Sequence, residues 1–311
     1  MGILSSRIRK EEKTLIKEAR GRKELELEVI DPRERIFDPR EANQLGDRLD
    51  VLLDREISQS RAYHILEMLR TGPVRLINTF ETVRICGDKA FTSAVLEKAG
   101  VPTPDFRVAF DRKGALEALE DLGYPAVLKP VDGSWGRMLA KINDRDAAEA
   151  VFEHKSGLDS HFHDIFYLQD YVEKSSRDIR AYVIGDEVVG AAYRVSDHWV
   201  TNAARGGKAH PCEVGKELEE ICLRAAAAVG GGALAVDLME TAGGFTVNEI
   251  NCSMEFKESM KVLKKSVPSR LIDYCLAVGA DGEEPTSVQG NSLPSVEGFS
   301  LEGEVGVGKC Q

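Results

Sequence analysis

Two carboxylates and an amide stand at strand-like spacing late in the chain. Asp237 lies in the apolar run Ala235-Val236-Asp237-Leu238, and Glu249 and Asn251 lie in Val247-Asn248-Glu249-Ile250-Asn251. Side chains two apart share one face of a strand, so Glu249 and Asn251 point the same way. Gly243 and Gly244 mark the turn of a hairpin joining the two runs. A turn with an odd number of residues sets Asp237 opposite Glu249, and an even one sets it on the diagonal. In either register the three can converge on one hard cation. Such an oxygen set suits Mg²⁺, which takes one or two carboxylates and completes its shell with water and phosphate. A solvent-facing polar strand face is the plain alternative, but carboxylates in an apolar strand need a partner.

Lysines and glycines supply the complementary chemistry. Lys129 ends the apolar run Pro125-Ala126-Val127-Leu128, and Lys89 follows Asp88 at a helix start. An ammonium is a compact point charge suited to phosphate oxygens. A few residues after Lys129 stands the loop Gly133-Ser134-Trp135-Gly136-Arg137. Glycines let backbone N–H groups come close to phosphate. No Gly-Lys-Ser/Thr follows, and the loop opens a strand rather than a helix, which excludes both a P-loop and a dinucleotide fingerprint. A hairpin turn and a solvated lysine are the ordinary readings of each feature taken alone. Arg177, Arg180, Arg194 and Arg205 form a fourth group. They can clamp a carboxylate or phosphate, or make surface ion pairs.

The elements that must hold these residues follow from periodicity. Leu25 to Ile30, Val51 to Leu53 and Leu76-Ile77 read as strands, and Glu11 to Ala19 and Ser60 to Leu69 as helices. This alternation predicts a small parallel α/β domain over 1–87. A second domain, 88–164, has helices over Phe91 to Lys98, Gly114 to Leu122 and Asp144 to His154, and strands over Ala126 to Lys129 and Met138 to Ile142. A third, 165–279, is strand-rich: Ile165 to Val172, Asp178 to Ile184, Val188 to Tyr193, His198 to Asn202 and the Asp237 hairpin, with helices over Lys216 to Val229 and Leu271 to Val278. Residues 280–311 are rich in Gly, Ser, Glu and Pro and read as a disordered tail.

Composition sets limits. A formal net charge of -11 argues against general nucleic-acid binding. No run of apolar residues is long enough to span a membrane, and Arg7, Arg9 and Lys10 break the only early apolar stretch, so a cytoplasmic protein is expected. Cys86, Cys212, Cys222, Cys252, Cys275 and Cys310 form no C-x-x-C pair and read as buried small hydrophobes. His161 and His163 read as part of a polar loop rather than a metal site. Lys257, Lys261, Lys264, Lys265 and Arg270 make one local basic run.

Taken in order, these motifs resemble the RimK-like branch of the ATP-grasp ligases, and within it the LysX and ArgX ligases of lysine and arginine biosynthesis. The likeness rests on Ser58-Gln59-Ser60-Arg61, Cys86-Gly87-Asp88-Lys89, Val127-Leu128-Lys129-Pro130 running into Gly133 to Arg137, and Gln169-Asp170-Tyr171-Val172-Glu173-Lys174. It continues through Arg177-Asp178-Ile179-Arg180, His198-Trp199, Thr201 to Gly207, Val247 to Asn251 and Met254-Glu255-Phe256-Lys257, and spans about residues 1–279.

The resemblance implies an α/β ATP-grasp fold behind a parallel α/β pre-ATP-grasp domain, with ATP and Mg²⁺ as cofactors. Lys89 and Lys129 would contact phosphates, and Gly133, Ser134, Trp135, Gly136 and Arg137 would form the phosphate lid. Gln169, Asp170, Tyr171 and Val172 would hold adenine, with Asp178, Arg180 and Asn202 completing the nucleotide site. Asp237, Glu249 and Asn251 would hold the metal. Arg194, Arg205 and Lys129 would act in catalysis, Arg194 on the acceptor or acyl-phosphate. The implied reaction joins α-aminoadipate or glutamate to the C-terminal Glu of a small acidic LysW-type carrier protein, and the basic run 257–270 becomes a candidate docking patch. A homo-oligomer, dimer or tetramer, is expected by the same likeness. Cys252-Ser253 departs from the His-Thr of relatives, and Leu263-Lys264-Lys265 matches neither substrate form. Two alternatives stay open: another RimK-like ligase adding glutamate to a ribosomal protein or coenzyme, and a non-catalytic nucleotide binder.

Overall fold

The computed structural model of the chain describes residues 1–38, 41–133, 138–156, 164–196, 198–199 and 208–281. Its N-terminal part alternates short buried strands with helices: β1 (Gly2–Leu4), α1 (Lys10–Arg20), β2 (Glu28–Ile30), α2 (Glu41–Gly46), β3 (Val51–Asp54), α3 (Gln59–Leu69) and β4 (Arg75–Ile77). The four strands pair in parallel in the order β2-β1-β3-β4. β1 and β3 are buried on both faces, which is why they read as unbroken apolar runs. Leu4, Leu52 and Leu76 meet α3 through Leu66 and Leu69. Ile3, Leu53 and Ile77 face the other way, onto Leu15 and Ala19 of α1.

Two helices lead out of this domain. α4 (Phe80–Cys86) is capped by Thr79, and α5 (Lys89–Lys98) by Asp88, whose carboxylate accepts from the N–H of Ala90 at 2.8 Å and of Phe91 at 3.1 Å. That cap fixes Lys89 as the first helical residue.

The middle sheet is antiparallel, in the order β5-β8-β6-β7, from β5 (Phe106–Ala109), β6 (Ala126–Lys129), β7 (Ala140–Ile142) and β8 (Phe166–Asp170). α6 (Arg112–Leu122) and α7 (Arg145–Ser156) cover one face through Ala115, Leu119, Ala148 and Phe152. β8 reads in sequence with the strands that follow it. Its backbone pairs instead with β5 and β6, in the interior of this sheet.

The third sheet has the order β11-β10-β9-β12-β13 and is wholly antiparallel, from β9 (Arg177–Ile184), β10 (Glu187–Val195), β11 (Lys208–Cys212), β12 (Ala233–Thr241) and β13 (Gly244–Asn251). The strand expected from His198 fails: His198 and Trp199 lie in a bend, and residues 200–202 are outside the described residues. β11, unforeseen, takes the edge. α8 (Lys216–Ala228) packs on one face with Leu96 and Val101, which close α5. α9 (Val267–Asp281) packs on the other. Its Leu271, Ile272 and Cys275 share one core with Ile3 and Leu53 of the N-terminal sheet and Tyr182 and Ala235 of the third. α9 runs to Asp281, past the expected start of the tail; residues 282–311 lie outside the described residues.

A buried ion pair ties the N-terminal domain to the segment after β13. Arg55 and Glu12 have side-chain exposures of 1% and 0%, and Arg55 Nη2 donates to Glu12 Oε1 at 2.9 Å. Arg55 Nη1 donates to the carbonyl of Met254 at 3.0 Å, and Arg9 joins Glu12 to Glu255. Removing one charge from such a pair leaves the other buried without compensation, at a cost of about 3–5 kcal/mol. Glu12→Gln is therefore expected to lower unfolding stability by about 3 kcal/mol in a urea titration; a loss below about 1 kcal/mol would show that the pair is not what joins the two parts.

Candidate active site

The charged row that forms the site crosses the third sheet from strand to strand. Arg194 on β10 is opposite Asp178 on β9; Arg180, two residues further along β9, is opposite Asp237 on β12; Asp237 is in turn opposite Glu249 on β13. Antiparallel pairing thus places alternating charges side by side. The geometry is bidentate twice over. Arg194 Nε and Nη2 each donate to the Asp178 carboxylate at 2.7 Å, and Arg180 Nε and Nη2 each donate to the Asp237 carboxylate at 2.7 Å. Arg194 Nη2 also lies 3.2 Å from Asp237 Oδ2, linking the two pairs. Burial alone would raise the Asp237 carboxyl, but the two guanidiniums outweigh it and hold it below the usual carboxylate range. Burial likewise opposes the charge on Arg180, yet Asp237 holds its pKa above the usual arginine value.

Asp237 reaches Glu249 by a route the turn chemistry does not reveal. Thr241 pairs with Gly244, an even-length turn, which by itself gives the diagonal register. A bulge between Asp237 and Leu238 on one strand and Glu249 and Val247 on the other restores the direct pairing. The extra residue is Asn248. Strict alternation would put it opposite to Glu249, but the bulge turns both toward the cleft while Val247 and Ile250 stay in the core. Asn248 Oδ1 accepts from Lys129 Nζ at 2.8 Å. Sequence reasoning missed this residue; the extra polar position in Val247-Asn248-Glu249-Ile250-Asn251 was the available signal.

Lys129 is a further buried cation of the site, with 7% of its surface exposed. It ends β6, and its ammonium donates to Gln169 Oε1 on β8 as well as to Asn248. Gln169 is fixed by Tyr167, whose hydroxyl accepts from Gln169 Nε2 at 3.0 Å and meets Ser93 of α5 at 2.7 Å. Burial, with Lys89 and Lys174 nearby, lowers the Lys129 pKa to about 8 although Glu249 pulls the other way. Lys89 Nζ donates to the carbonyl of Gly133 at 2.7 Å, so the first glycine of the loop touches the first residue of α5. Gly133 has φ +97°, a conformation that suits glycine.

The remaining expected residues fall as follows. Asp170 ends β8 and Tyr171 follows it, and the Asp170 carboxyl is raised by burial and by Asp105. The Tyr171 ring lies 6.2 Å from Trp199 and carries Lys141 Nζ 3.5 Å above its centroid, another contact unforeseen in the sequence. Val172 follows, half-buried. Lys174 Nζ lies 3.6 Å from Asp178. Asn251 Nδ2 approaches Asp237 Oδ2 at 3.4 Å. Arg177 is not in the row: it pairs with Glu240 at 2.7 Å near the surface. Ser134, Trp135, Gly136, Arg137, Asn202 and Arg205 lie outside the described residues. The basic run is also changed by the fold, since Lys257 and Lys261 pair with Glu258, and Lys265 and Arg270 with Glu187. Nearby acids thus offset much of the patch expected at 257–270.

The donor set can be tested for a cation. Among the described residues no three His, Cys, Asp or Glu side chains converge on one point, so no all-protein cage exists there. Glu249 has no hydrogen bond or ion pair with another described residue, whereas Asp237 spends most of its lone pairs on arginine. Glu249 and the Asn251 amide oxygen therefore fit as leading ligands, Asp237 as a partial one. That is the incomplete set expected of a Mg²⁺ site finished by phosphate.

Comparison with known proteins bears on this geometry directly. Residues 1–85 match the LysX preATP-grasp domain, and residues 86–275 match the RimK-like ATP-grasp domain. The chain belongs to the RimK-like ATP-grasp family. It is 37% identical over 226 residues to the alpha-aminoadipate–LysW ligase LysX of Saccharolobus solfataricus, covering 72% of this chain and 82% of that one. It is 34% identical over 270 residues to the glutamate–LysW ligase ArgX of Sulfolobus acidocaldarius, covering 86% and 94%. Among solved structures, a RimK-domain ATP-grasp protein from Sphaerobacter thermophilus superimposes with a TM-score of 0.72 at 24% identity, over 88% of this chain and 98% of that one. The family fold implies ATP binding, and the protein is an ATP-dependent ligase.

A lysine buried at a pKa of about 8 titrates within the working range. ATP affinity is expected to hold up to about pH 8 and to fall above it as Lys129 loses its proton. Lys129→Met should weaken ATP binding by about 10–100-fold at pH 7 and flatten this profile in calorimetric titrations. An unchanged profile in the variant would assign the titration to another group.

Proposed function

We propose that this ligase joins the amino group of α-aminoadipate or glutamate to the γ-carboxylate of the C-terminal Glu of a LysW-type carrier protein. The observation that carries the reading is the continuous two-part match, a LysX preATP-grasp domain followed by a RimK-like ATP-grasp domain. The names of LysX and ArgX relatives that align over most of the chain support the same carrier chemistry.

In this reading Lys89 and Lys129 hold the ATP phosphates beneath a lid of residues Gly133 to Arg137, and Gln169 to Val172 receive the adenine. Asp178 and Arg180, with Asn202, complete the nucleotide site. Glu249, Asn251 and Asp237 hold Mg²⁺, which offsets charge on the transferring phosphoryl group. The carrier carboxylate attacks the γ-phosphate to give an acyl-phosphate and ADP. The substrate amine then attacks the acyl carbon, and phosphate leaves as the isopeptide bond forms. Arg194 has its Nε and Nη2 engaged by Asp178 and Asp237, which leaves Nη1 to meet the acyl-phosphate or the oxyanion. Arg205 is a second donor in the same reading. Because its neighbours are fixed, Arg194 offers this donor without reorganising.

One methylene separates the two amino acids, and such a difference is worth about 1–3 kcal/mol in a pocket. Both substrates therefore fall within reach of one site.

ADP release measured with Mg·ATP and a LysW-type carrier, adding each amino acid in turn, tests the assignment. Turnover should require carrier together with α-aminoadipate or glutamate, and should fall at least about 100-fold in Arg194→Met. Turnover with a folate-like or ribosomal-protein acceptor, and none with the carrier, would move the protein to another branch of the family.

A further inference from the structure

The cleft-facing side of the middle sheet carries a second lysine, Lys141 on β7. Residues directly opposite each other in an antiparallel ladder share a face. Val127 on β6 is opposite both Lys141 on β7 and Gln169 on β8, and Lys129 is opposite Tyr167. The other face holds Ala126, Leu128, Ile142 and Leu168, packed under α6 and α7. Lys141 therefore shares a face with Lys129 and Gln169, the face from which Lys129 reaches Asn248 of the third sheet.

Along this face the residues follow in order. Lys129 is at one end. Val127, Gln169 and Lys141 form the next row. Tyr171 comes two residues after Gln169, and its N–H donates to the carbonyl of Pro125 at 3.3 Å. Lys141 leans toward that end, with its Nζ 3.5 Å above the centroid of the Tyr171 ring. It is half-buried and makes no hydrogen bond or ion pair with any described residue. Asp170, the neighbouring acid, is level with Ala126 and Ile142 and so belongs to the opposite face. A ring attracts an ammonium through its face without accepting its N–H bonds, so the donors of Lys141 stay uncommitted. A surface lysine would extend into water instead.

We propose that Lys141 is a nucleotide-binding residue whose ammonium passes from the Tyr171 ring to the α-phosphate of ATP. This rests on the proposed orientation of the nucleotide, with its outer phosphates at Lys89 and Lys129 and its base at Gln169 to Val172. Ribose and α-phosphate lie between those ends, and Lys141 is the cation of the intervening row. A point charge on a flexible four-carbon stem suits such a transfer. The Tyr171 ring keeps the ammonium at the cleft without a carboxylate that would compete with the phosphate.

Titration of the full chain with adenosine, AMP, ADP and ATP in the presence of Mg²⁺ tests this, with weak ligands read by displacement of ADP. Lys141→Met keeps an apolar contact to Tyr171 and removes the charge. It should weaken AMP, ADP and ATP by about the same factor, roughly tenfold, and leave adenosine within about twofold. Lys141→Arg should recover most of the loss. An equal loss for adenosine would make Lys141 a support for the base through Tyr171 and would overturn the proposal. Unchanged affinity for all four ligands would do the same. Lys129→Met in the same titrations reports on the orientation, since its loss should grow from AMP to ATP. No such growth would remove the orientation itself. Growth there, with Lys141→Met neutral, would remove the assignment of Lys141 alone.

Discussion

The fold of the site depends on one buried row of alternating charge. Two bidentate arginine–carboxylate pairs, Arg194–Asp178 and Arg180–Asp237, sit on three adjacent strands and share Arg194 as a bridge. Charges this deep are tolerated only when each has a partner in good geometry. The pairing between strands supplies that geometry, because the register is held by the apolar residues on the opposite face, Ile179, Ala181, Val236 and Leu238. A slip of one residue would drive the charges into that core. Packing on one face thus fixes electrostatics on the other.

The consequence for chemistry is preorganisation. A row whose charges are already compensated does not need to reorganise when a polyphosphate arrives. Lys129 and Glu249 stand at its edge as the groups less fully engaged, one on amide oxygens and one without a described partner. Lys129 is held from the middle sheet and Glu249 from the third, so the two face each other across the cleft between the sheets. The N-terminal domain meets the end of β13 nearby: Arg55, paired with Glu12, donates to the carbonyl of Met254, three residues past Asn251.

Much of this was legible in the residues alone. The parallel N-terminal domain followed from short apolar runs alternating with helices, and hairpin logic brought Asp237 near Glu249, either opposite it or on the diagonal. The choice between the two was not legible, because a bulge leaves no sure mark in a single sequence. β8 was read with the wrong sheet because sequence neighbours usually pair, whereas the middle sheet folds back on itself. The basic run at 257–270 looked like a free patch because its partners, Glu187 and Glu258, are recognised only once β10 comes alongside. Asp178 was assigned to the nucleotide and Arg194 to the acceptor or acyl-phosphate; their engagement with each other depends on the pairing of β9 with β10, which spacing did not specify.

In the proposed reaction this cleft activates a carboxylate by phosphorylating it. The most direct measurement places ¹⁸O in the C-terminal carboxylate of the carrier and follows the label after turnover with ATP and the amino acid. Passage through an acyl-phosphate predicts transfer of one ¹⁸O to the released inorganic phosphate, with ADP as the other product. Label retained wholly in the carrier, or its appearance in AMP, would contradict the account.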